Sequence, residues 1–502
     1  MKNGFRYVVI TALLAVVSVL MCIGASADAE IFYGKGDIGY FGDAAGEDVS
    51  SVAAESSGVS GELIDYVIEM HRQIAVEIPI YEAGYRVSFT AHSEIMMART
   101  YKASDLFYAD SSYMYSYIFG EDEETVYLYS LYPDYTMYGE ELEKAKAKYE
   151  SMISDIEAQA KHLSGDLEKV IFYHDYIVSN FEYDTSYVIH DAYNMLLSKQ
   201  GVCQAYTLLM TELLTRAGIE NTAIYSDGLN HVWNAVLLDG GWYLLDLTWD
   251  DPIDDIAGRV YRHYFLCSKK KFEHALRDGS YDWVTVGADE PVFSASLDSA
   301  FWHSSENHPI HVYDGNAYYK TYSYGREYSI IKVDLSDMSE SLFLEKSVYQ
   351  YMSLGFCGYG NRLYYVQSFE MGAAMLYEYD IDTGAERVIY TYTHICTESC
   401  FQYCSISMVR LFSDDNRLYI YTANGTYSND GTLSYIDVEE YSVSFILYDC
   451  NGDGAVNNAD ITALIRELSG FGDNSFVFSS ADINCDGKLN NRDAIALIKH
   501  LS

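Results

Sequence analysis

The chain has 502 residues, with 32 Lys and Arg against 74 Asp and Glu, giving a formal net charge of -42 at pH 7. That length has room for about three or four domains with ample core. So negative a surface repels phosphate backbones and anionic lipid, which excludes nucleic-acid binding and polybasic membrane attachment and leaves a soluble extracellular protein as the reading.

Lys2 and Arg6, the apolar run from Tyr7 to Ile23 and Ala25-Ser26-Ala27 have the order of a secretory signal peptide, expected to occupy residues 1–27. A retained anchor is the alternative, but the run is shorter than a comfortable span, and no other stretch is long and apolar enough to cross a bilayer. Export with no membrane span after cleavage follows. Of the nine cysteines, Cys22 leaves with the signal. If Cys203 stays free, an odd number remains and complete pairing needs a second free thiol. Cys396, Cys400 and Cys404 cluster without His or Cys partners at zinc-finger spacing, which favours a local disulfide or simple burial over metal.

Residues 28–60, rich in Gly, Ala, Ser and acids, read as a flexible segment. Residues 61–164 read as an α+β lobe packed on the domain that follows: a helix near Glu62 to Ala75, strand-like Tyr85 to Thr90, the alternating run Val126 to Tyr132 and a long helix from Glu140 to His162.

Residues 165–285 carry the chemistry. A helix over Leu167 to Val178 precedes Gly201 and Cys203, where a second helical pattern begins, with Ala205, Leu208, Leu209 and Leu213 on its buried side and Gly218 as its stop signal. A cysteine at a helix N-terminus faces unpaired N–H groups and the positive dipole end, which favour the nucleophilic thiolate. After a short strand at Thr222 to Tyr225, the runs His231 to Leu238 and Trp242 to Trp249 flank Asp239-Gly240-Gly241 as a hairpin. With Asp239-Gly240 as the turn, Leu238 pairs with Gly241, and His231 and Asp246 become diagonal neighbours on one face, roughly 7–8 Å apart at Cα. A turn moved one residue along would separate them. Singly, each residue has an ordinary structural explanation. Together Cys203, His231 and Asp246 supply a nucleophile, a base and an orienter of that base.

This stretch resembles the transglutaminase-like superfamily of papain-type Cys-His-Asp proteins, and its secreted bacterial branch, whose hairpin reads HxWN followed by WYxxDxTWDDP. The resemblance implies Cys203 as nucleophile, His231 as general base and acid, and Asp246 as orienter, with no catalytic cofactor. Gln204, Trp233, Asn234, Trp249 and Asp250 match motif positions without a catalytic role. A protein or peptide substrate is implied. The superfamily includes protein cross-linkers, peptidases, deamidases and members that have lost activity.

Residues 286–445 turn to short Tyr-rich strands with a weak repeat. Asp314-Gly315-Asn316, Gly360-Asn361-Arg362 and Asp415-Asn416-Arg417 each set a turn before a strand, with an acidic turn about twenty residues on, at Asp334, Asp380 to Asp382 and Asp437. Three such units are fewer than a closed propeller needs, so a partial propeller or sandwich-like β-domain is expected.

Residues 446–502 hold two loops of one pattern, Asp449, Asn451, Asp453, Gly454, Asn457, Asp460 and Asp482, Asn484, Asp486, Gly487, Asn490, Asp493. Side-chain oxygens at loop positions 1, 3, 5, 9 and 12 with glycine at 6 are the hard-ligand set of an EF-hand calcium loop. A helical stripe follows each loop, Ala463, Leu464, Ile465, Leu468 and then Ala496, Leu497, Ile498, Leu501. The duplication, with Asp at position 12 and no helix before the loop, resembles a type I dockerin. That resemblance implies a small all-α domain folded around two calcium ions and docked on a cohesin module of a scaffoldin, hence a cell-surface, polysaccharide-degrading complex. Positions 10 and 11, which often help set cohesin choice in that family, are Asn458-Ala459 and Asn491-Arg492. Cys450 and Cys485 occupy non-ligand loop positions, paired or free. The fold class expected is therefore multidomain α+β: a papain-like transglutaminase-type core, a Tyr-rich β-domain and a dockerin.

Overall fold

A computed structural model of the chain describes residues 31–37, 59–251, 253, 260–305, 308–323, 327–347, 356–368, 373–393, 403–412, 417–427, 433–441, 450, 456–469 and 490–501. The expected signal peptide, most of the segment 28–60, Cys396, Cys400, Cys485 and the loop ligands Asp449, Asn451, Asp453, Asp482, Asn484 and Asp486 lie outside the described residues. No helix among the described residues is long and apolar enough to cross a membrane. The chain divides into two compact units, the first Met1–Tyr40, Ser50–Leu142 and Val286–Ala288, the second Phe41–Val49, Glu143–Thr285 and Asp289–Ser502.

In the first unit, Ser60 caps the helix Gly61–Arg72 by accepting the Leu63 N–H at 3.2 Å, and the helix buries Leu63, Ile64, Val67 and Ile68. A second helix, Ala91–Lys102, joins the same core. The sheet has four strands in the order β1-β3-β4-β2, where β1 is Phe32–Asp37, β2 Ile78–Pro79, β3 Ala109–Phe119 and β4 Val126–Tyr135. Two expectations fail here. Phe32–Asp37 is not unstructured: it pairs with β3 from Phe32↔Tyr117 to Asp37↔Ser112. Its glycines are what admit it, since a Cβ on Gly34 or Gly36 would collide with the ring of Tyr115 or Tyr113, while Phe32 stacks on Tyr117 at 5.3 Å. Tyr85 to Thr90 contributes only an isolated bridge, Ser88↔Tyr127, because the Thr90 N–H turns back to Ser88 Oγ at 3.3 Å and the chain enters the helix.

In the second unit, the helices Asp166–Asn180 and Cys203–Arg216 belong to one body with a sheet of order β10-β7-β8-β9, with β7 Asn221–Ser226, β8 His231–Leu238, β9 Gly241–Leu245 and β10 Val284–Thr285. The turn between β8 and β9 has Asp239 at φ 49° and Gly240 at φ 79°, the left-handed pair of a type I′ hairpin. Leu238 therefore pairs with Gly241 and the ladder runs back to Asn234↔Leu245. Asn234 fastens this hairpin to the Cys203 helix, its Nδ2 donating to Thr207 O at 3.1 Å and Thr211 Oγ1 at 3.0 Å. A short parallel bridge, β5 (Glu182–Tyr183) on β6 (Gln200–Gly201), delivers the chain to Cys203.

Three antiparallel meanders follow, of four, four and three strands: β11 (His311–Tyr313) to β14 (Ser339–Ser347), β15 (Phe356–Tyr359) to β18 (Glu386–Thr393), and β19 (Tyr403–Phe412) to β21 (Leu433–Tyr441). The first two match in register. Tyr313↔Asn316 corresponds to Tyr359↔Arg362, Asn316↔Asp334 to Arg362↔Asp380, and both carry a bulge, at Ile330/Ile331 and Leu376/Tyr377. The structural offset is 46 residues (362−316 and 380−334), so Asn316 corresponds to Arg362 rather than to Asn361. Two carboxylates of the Asp166–Asn180 helix hold the first meander in place: Glu168 Oε1 accepts the Gly315 N–H at 2.8 Å, and Asp175 Oδ2 the Ile310 N–H at 2.6 Å.

Near the C-terminus the helices Asn458–Leu468 and Asn491–Leu501 pack through Leu464 and Leu497 with Cys450 and Ala494.

Candidate active site

Val202 is the N-cap residue of the helix Cys203–Arg216, and its own N–H donates to Ile189 O at 2.9 Å, which fixes where the helix begins. The approach is tight: a Cβ at Gly201 would lie 2.8 Å from the Ala205 Cβ and 3.0 Å from Met195 Sδ. Cys203 is thus the first helical residue and is 1% exposed. His231 opens β8 and Asp246 directly follows β9, past the last pair of the ladder. Their side chains meet, His231 Nε2 and Asp246 Oδ2 lying 2.6 Å apart. The Cys203 sulfur is among the groups that act on the same ring. The expected histidine and aspartate are therefore in direct contact.

Burial pulls the His231 pKa down, but the Asp246 carboxylate and the Cys203 sulfur beside it outweigh burial and lift it to about 10. Burial likewise opposes the charge on Asp246, yet His231 and His274 hold its carboxyl well below the usual range. At neutral pH the His231 imidazole is therefore held as a cation against the Asp246 carboxylate.

Asp246 is fully engaged. Oδ1 accepts the N–H groups of Thr248 (3.0 Å) and Trp249 (3.2 Å), and Oδ2 takes a second imidazole, His274 Nε2, at 2.7 Å. His274 escapes sequence reasoning, since it lies 28 positions after Asp246 with no motif spacing to mark it. Trp249, half exposed at 43%, stacks on His231 with centroids 5.3 Å apart and covers it from solvent. Tyr183, set opposite Gly201 by the parallel bridge, also faces the site; burial and then the Cys203 and Asp246 charges push its phenol up. An open groove of about 450 Å³ lined by Val188, Ile189, Asn194, Leu197 and Ser198 leads along the segment that ends at Cys203.

A second buried polar cluster ties down the loop after Asp246. Asp250 accepts the Tyr264 N–H at 3.1 Å and faces His174 at 3.3 Å, His174 contacts Asp175 at 2.9 Å, and Asp175 pairs with Arg262. Tyr206, on the Cys203 helix, donates to Asp251 at 2.5 Å.

Of the expected calcium ligands, four are described, and both copies use them alike. Asn457 Oδ1 accepts the Ala459 N–H at 2.8 Å while its own N–H donates to Asp460 Oδ2 at 2.7 Å; Asn490 and Asp493 repeat this at 2.9 Å to Arg492 and 2.8 Å. Asp460 and Asp493 are 0% exposed. Hard oxygen donors with deeply buried carboxylates fit a divalent cation of the calcium type.

A family model described as "Transglutaminase-like superfamily" matches residues 154–247, and one described as "Dockerin type I domain" matches 447–502. Among curated proteins the chain is similar to "Kyphoscoliosis peptidase" of Homo sapiens, 27% identical over 187 residues, and of Mus musculus, 23% over 186 residues. The alignments cover 32% of this chain and only 28% and 27% of those relatives' own length. Among solved structures a "TGase" is 15% identical, covering 30% of this chain and 47% of that one, with a TM-score of 0.20. Type I dockerin domains bind calcium and imply a cohesin partner, so this is a mixed α/β chain that carries a transglutaminase-like core over 154–247 and a type I dockerin over 447–502.

Proposed function

We propose that the protein is a secreted, calcium-dependent docking enzyme whose transglutaminase-like core hydrolyses amide bonds through an acyl-thioester, and whose dockerin fixes it to a cohesin of a scaffoldin in a polysaccharide-degrading complex. The observation that carries the catalytic half is the 2.6 Å contact of His231 Nε2 with Asp246 Oδ2, with the Cys203 sulfur among the groups that act on the same ring. In this reading Cys203, His231 and Asp246 are the catalytic residues. The thiolate attacks the carbonyl carbon, and the oxyanion that forms is received by the Cys203 backbone N–H at the open helix end. His231 gives its proton to the leaving nitrogen as the C–N bond breaks, then takes one from the water that resolves the thioester, and the thiolate leaves. The groove along Val188 and Leu197 would hold the substrate chain before the scissile bond. Hydrolysis is preferred to cross-linking because a cross-linker must shield its thioester from water so that an amine competes; the peptidase names of the curated relatives point the same way.

The docking half rests on the duplicated C-terminal pattern. Calcium, when bound, supplies the charge that lets each loop close. Asp449, Asn451, Asp453, Asn457 and Asp460 would hold one ion and Asp482, Asn484, Asp486, Asn490 and Asp493 a second. Ile465 and Ile498, equivalent residues of the two helices, are each 47% exposed, and suit an apolar contact with the partner. The register-matched meanders are read as blades of a partial propeller.

The test is incubation of the purified protein with proteome-derived peptides, read by mass spectrometry for cut bonds, hydrolysed amides or new isopeptides, against Cys203→Ala. Cleavage or deamidation lost in that variant supports the proposal. Isopeptides outrunning hydrolysis at physiological amine concentration make it a cross-linker, and identical spectra from both proteins remove the catalytic half.

A further inference from the structure

His274 presents an electrostatic problem that two distances resolve. Its Nδ1 lies 2.9 Å from Phe272 O, and its Nε2 lies 2.7 Å from Asp246 Oδ2. A carbonyl oxygen only accepts, so Nδ1 carries a hydrogen. In a neutral ring Nε2 would then point its lone pair at a carboxylate oxygen, a repulsive contact at that distance. Something positive must sit between them. A zinc ion bridging the two would stand about 2.0–2.2 Å from each atom and hold them more than about 3 Å apart, so 2.7 Å fits a proton.

That proton has two possible owners, Nε2 or Oδ2. Oδ2 also meets His231 Nε2 at 2.6 Å, and Oδ1 accepts two backbone N–H groups. Apart from His274, three groups converge on this carboxyl as donors, the pattern of an ionised group. The surroundings of His274 favour a cation as well. Its ring lies 4.0 Å from Phe272 and 4.0 Å from Trp249 in tilted or stacked contact, with Trp233 at 5.1 Å and Tyr264 at 5.0 Å edge-on. This is an aromatic cage, and ring faces attract a desolvated cation. The backbone is bent to put the ring there: Glu273 sits at φ 57°, where a non-glycine residue is strained, and Trp283 Nε1 ties down His274 O at 2.8 Å.

We propose that His274 is a fourth, positioning member of the site, a buried imidazolium that donates from both ring nitrogens and holds Asp246 ionised and oriented toward His231. The role, though not the protonation state, rests on the catalytic reading above. The charged or titratable groups around His274 among the described residues are Asp246, His231, Tyr264 and the adjacent Glu273, with Trp233, Trp249 and Phe272 neutral. His274 touches no reacting atom. It acts by fixing the carboxylate that fixes the base.

The first test is nitrogen NMR of the full chain labelled with ¹⁵N-histidine, with His274→Gln used to assign the signal. Both His274 nitrogens are expected to carry hydrogen from pH 6 to pH 8. One bare nitrogen in that range overturns the proposal, since the proton then sits on Asp246 or a metal takes its place, and measured zinc content separates the two. The second test compares His274→Phe, which keeps the stacked ring and removes both donors, with His274→Gln, which restores one donor without charge. Turnover should fall about 10–100-fold in the Phe variant with KM unchanged, the scale of losing an orienting partner. Gln should recover only part of it. Full activity in a folded Phe variant overturns the role. If unaltered protein shows no turnover and an ordinary Cys203 alkylation rate, the enzyme reading fails while the nitrogen signals still decide the protonation of His274.

Discussion

His174 and Asp250, 76 positions apart in the chain, meet 3.3 Å apart with both side chains fully buried. The contact joins the helix Asp166–Asn180 to the turn that follows Asp246. Asp175 is the hub, pairing with His174 and Arg262 and accepting the Ile310 N–H. Truncating it takes a carboxylate from the buried Arg262 and leaves His174 with Asp250. Asp175→Ala is expected to destabilise the second unit by about 3–5 kcal/mol, read as a lowered urea midpoint of near-UV circular dichroism. An unchanged midpoint would show that the pairs contribute nothing net.

The same cluster sets a pH dependence. Burial lowers the His174 pKa, but hydrogen bonds and charges from Asp175 and Asp250 raise it above its ordinary value. A raised folded pKa means that the stabilisation is complete below about 6.5 and is lost as pH rises through the folded value. Asp175, held below its ordinary range by Arg262 and His174 against burial, works in the opposite sense, complete above about 3.9 and lost as pH falls. Thermal midpoints should therefore form a plateau between about pH 4 and pH 6.5, and His174→Gln should remove the loss above it that this residue contributes. A midpoint still falling as steeply in that variant assigns the loss elsewhere.

His231 governs a separate pH limb. With its pKa lifted to about 10, the imidazolium held against Asp246 is expected to persist through neutral pH and to lose its proton as pH rises through that value. Iodoacetamide should mark Cys203 fastest on the neutral plateau. Cys267, whose thiol burial pushes up to about 12, should stay unmodified there, as should Cys357, which burial also raises. Asp246→Asn removes the anion that lifts His231, so the alkaline limb should move to lower pH. The pH profile of turnover, which needs the His231 proton for the leaving nitrogen, measures the limb, and peptide mapping measures which cysteine is alkylated; a limb that does not move in Asp246→Asn removes that carboxylate as its cause.

How much of this was legible in the sequence depended on whether a local signal fixed the geometry. Asp239-Gly240 did, because a two-residue left-handed turn leaves one register, and that register brings His231 to Asp246. The Cys203 helix start and both β-meander turns at Asp314-Gly315 and Gly360-Asn361 were legible for the same reason. The strand Phe32–Asp37 was not, since its two glycines and small polar neighbours have a flexible composition and become a strand only under the rings of Tyr113 and Tyr115. His274 was invisible because it reaches Asp246 through a strained turn at Glu273 and an aromatic cage assembled from β8, the turn after β9 and the loop beyond, none of which leaves a spacing in the chain.

Gly201→Ala tests the helix start independently of the triad. The new methyl would press on Ala205 Cβ at 2.8 Å and Met195 at 3.0 Å. Overpacking of this kind costs about 1–3 kcal/mol, and the backbone that yields is the one carrying Cys203. Turnover should fall together with the Cys203 alkylation rate while calcium binding at the C-terminus is unaffected. A stable variant with full alkylation would mean that Met195 swings away without moving the helix.

The last prediction concerns calcium. Asp460 and Asp493 sit fully buried at equivalent places, each with one carboxylate oxygen closing the cap of its helix, on Asn457 N–H and Asn490 N–H. Each is also the twelfth residue of its loop, so one side chain is expected to serve both the ion and the helix end. Before a cation arrives, several carboxylates gathered in each loop repel one another, and the helix is left to its own cap, worth about 1 kcal/mol. Calcium binding should therefore order loop and helix in one step, and circular dichroism of residues 446–502 should gain helix on adding calcium and lose it on chelation. Asp460→Asn keeps a cap oxygen but weakens the ion site, so its helix should form only at higher calcium. Asp453→Ala with Asp486→Ala should abolish cohesin binding and leave Cys203 alkylation intact. An unchanged spectrum on adding calcium would sink the coupling, and a double variant that still binds cohesin would place the docking contacts outside the calcium-ordered fold.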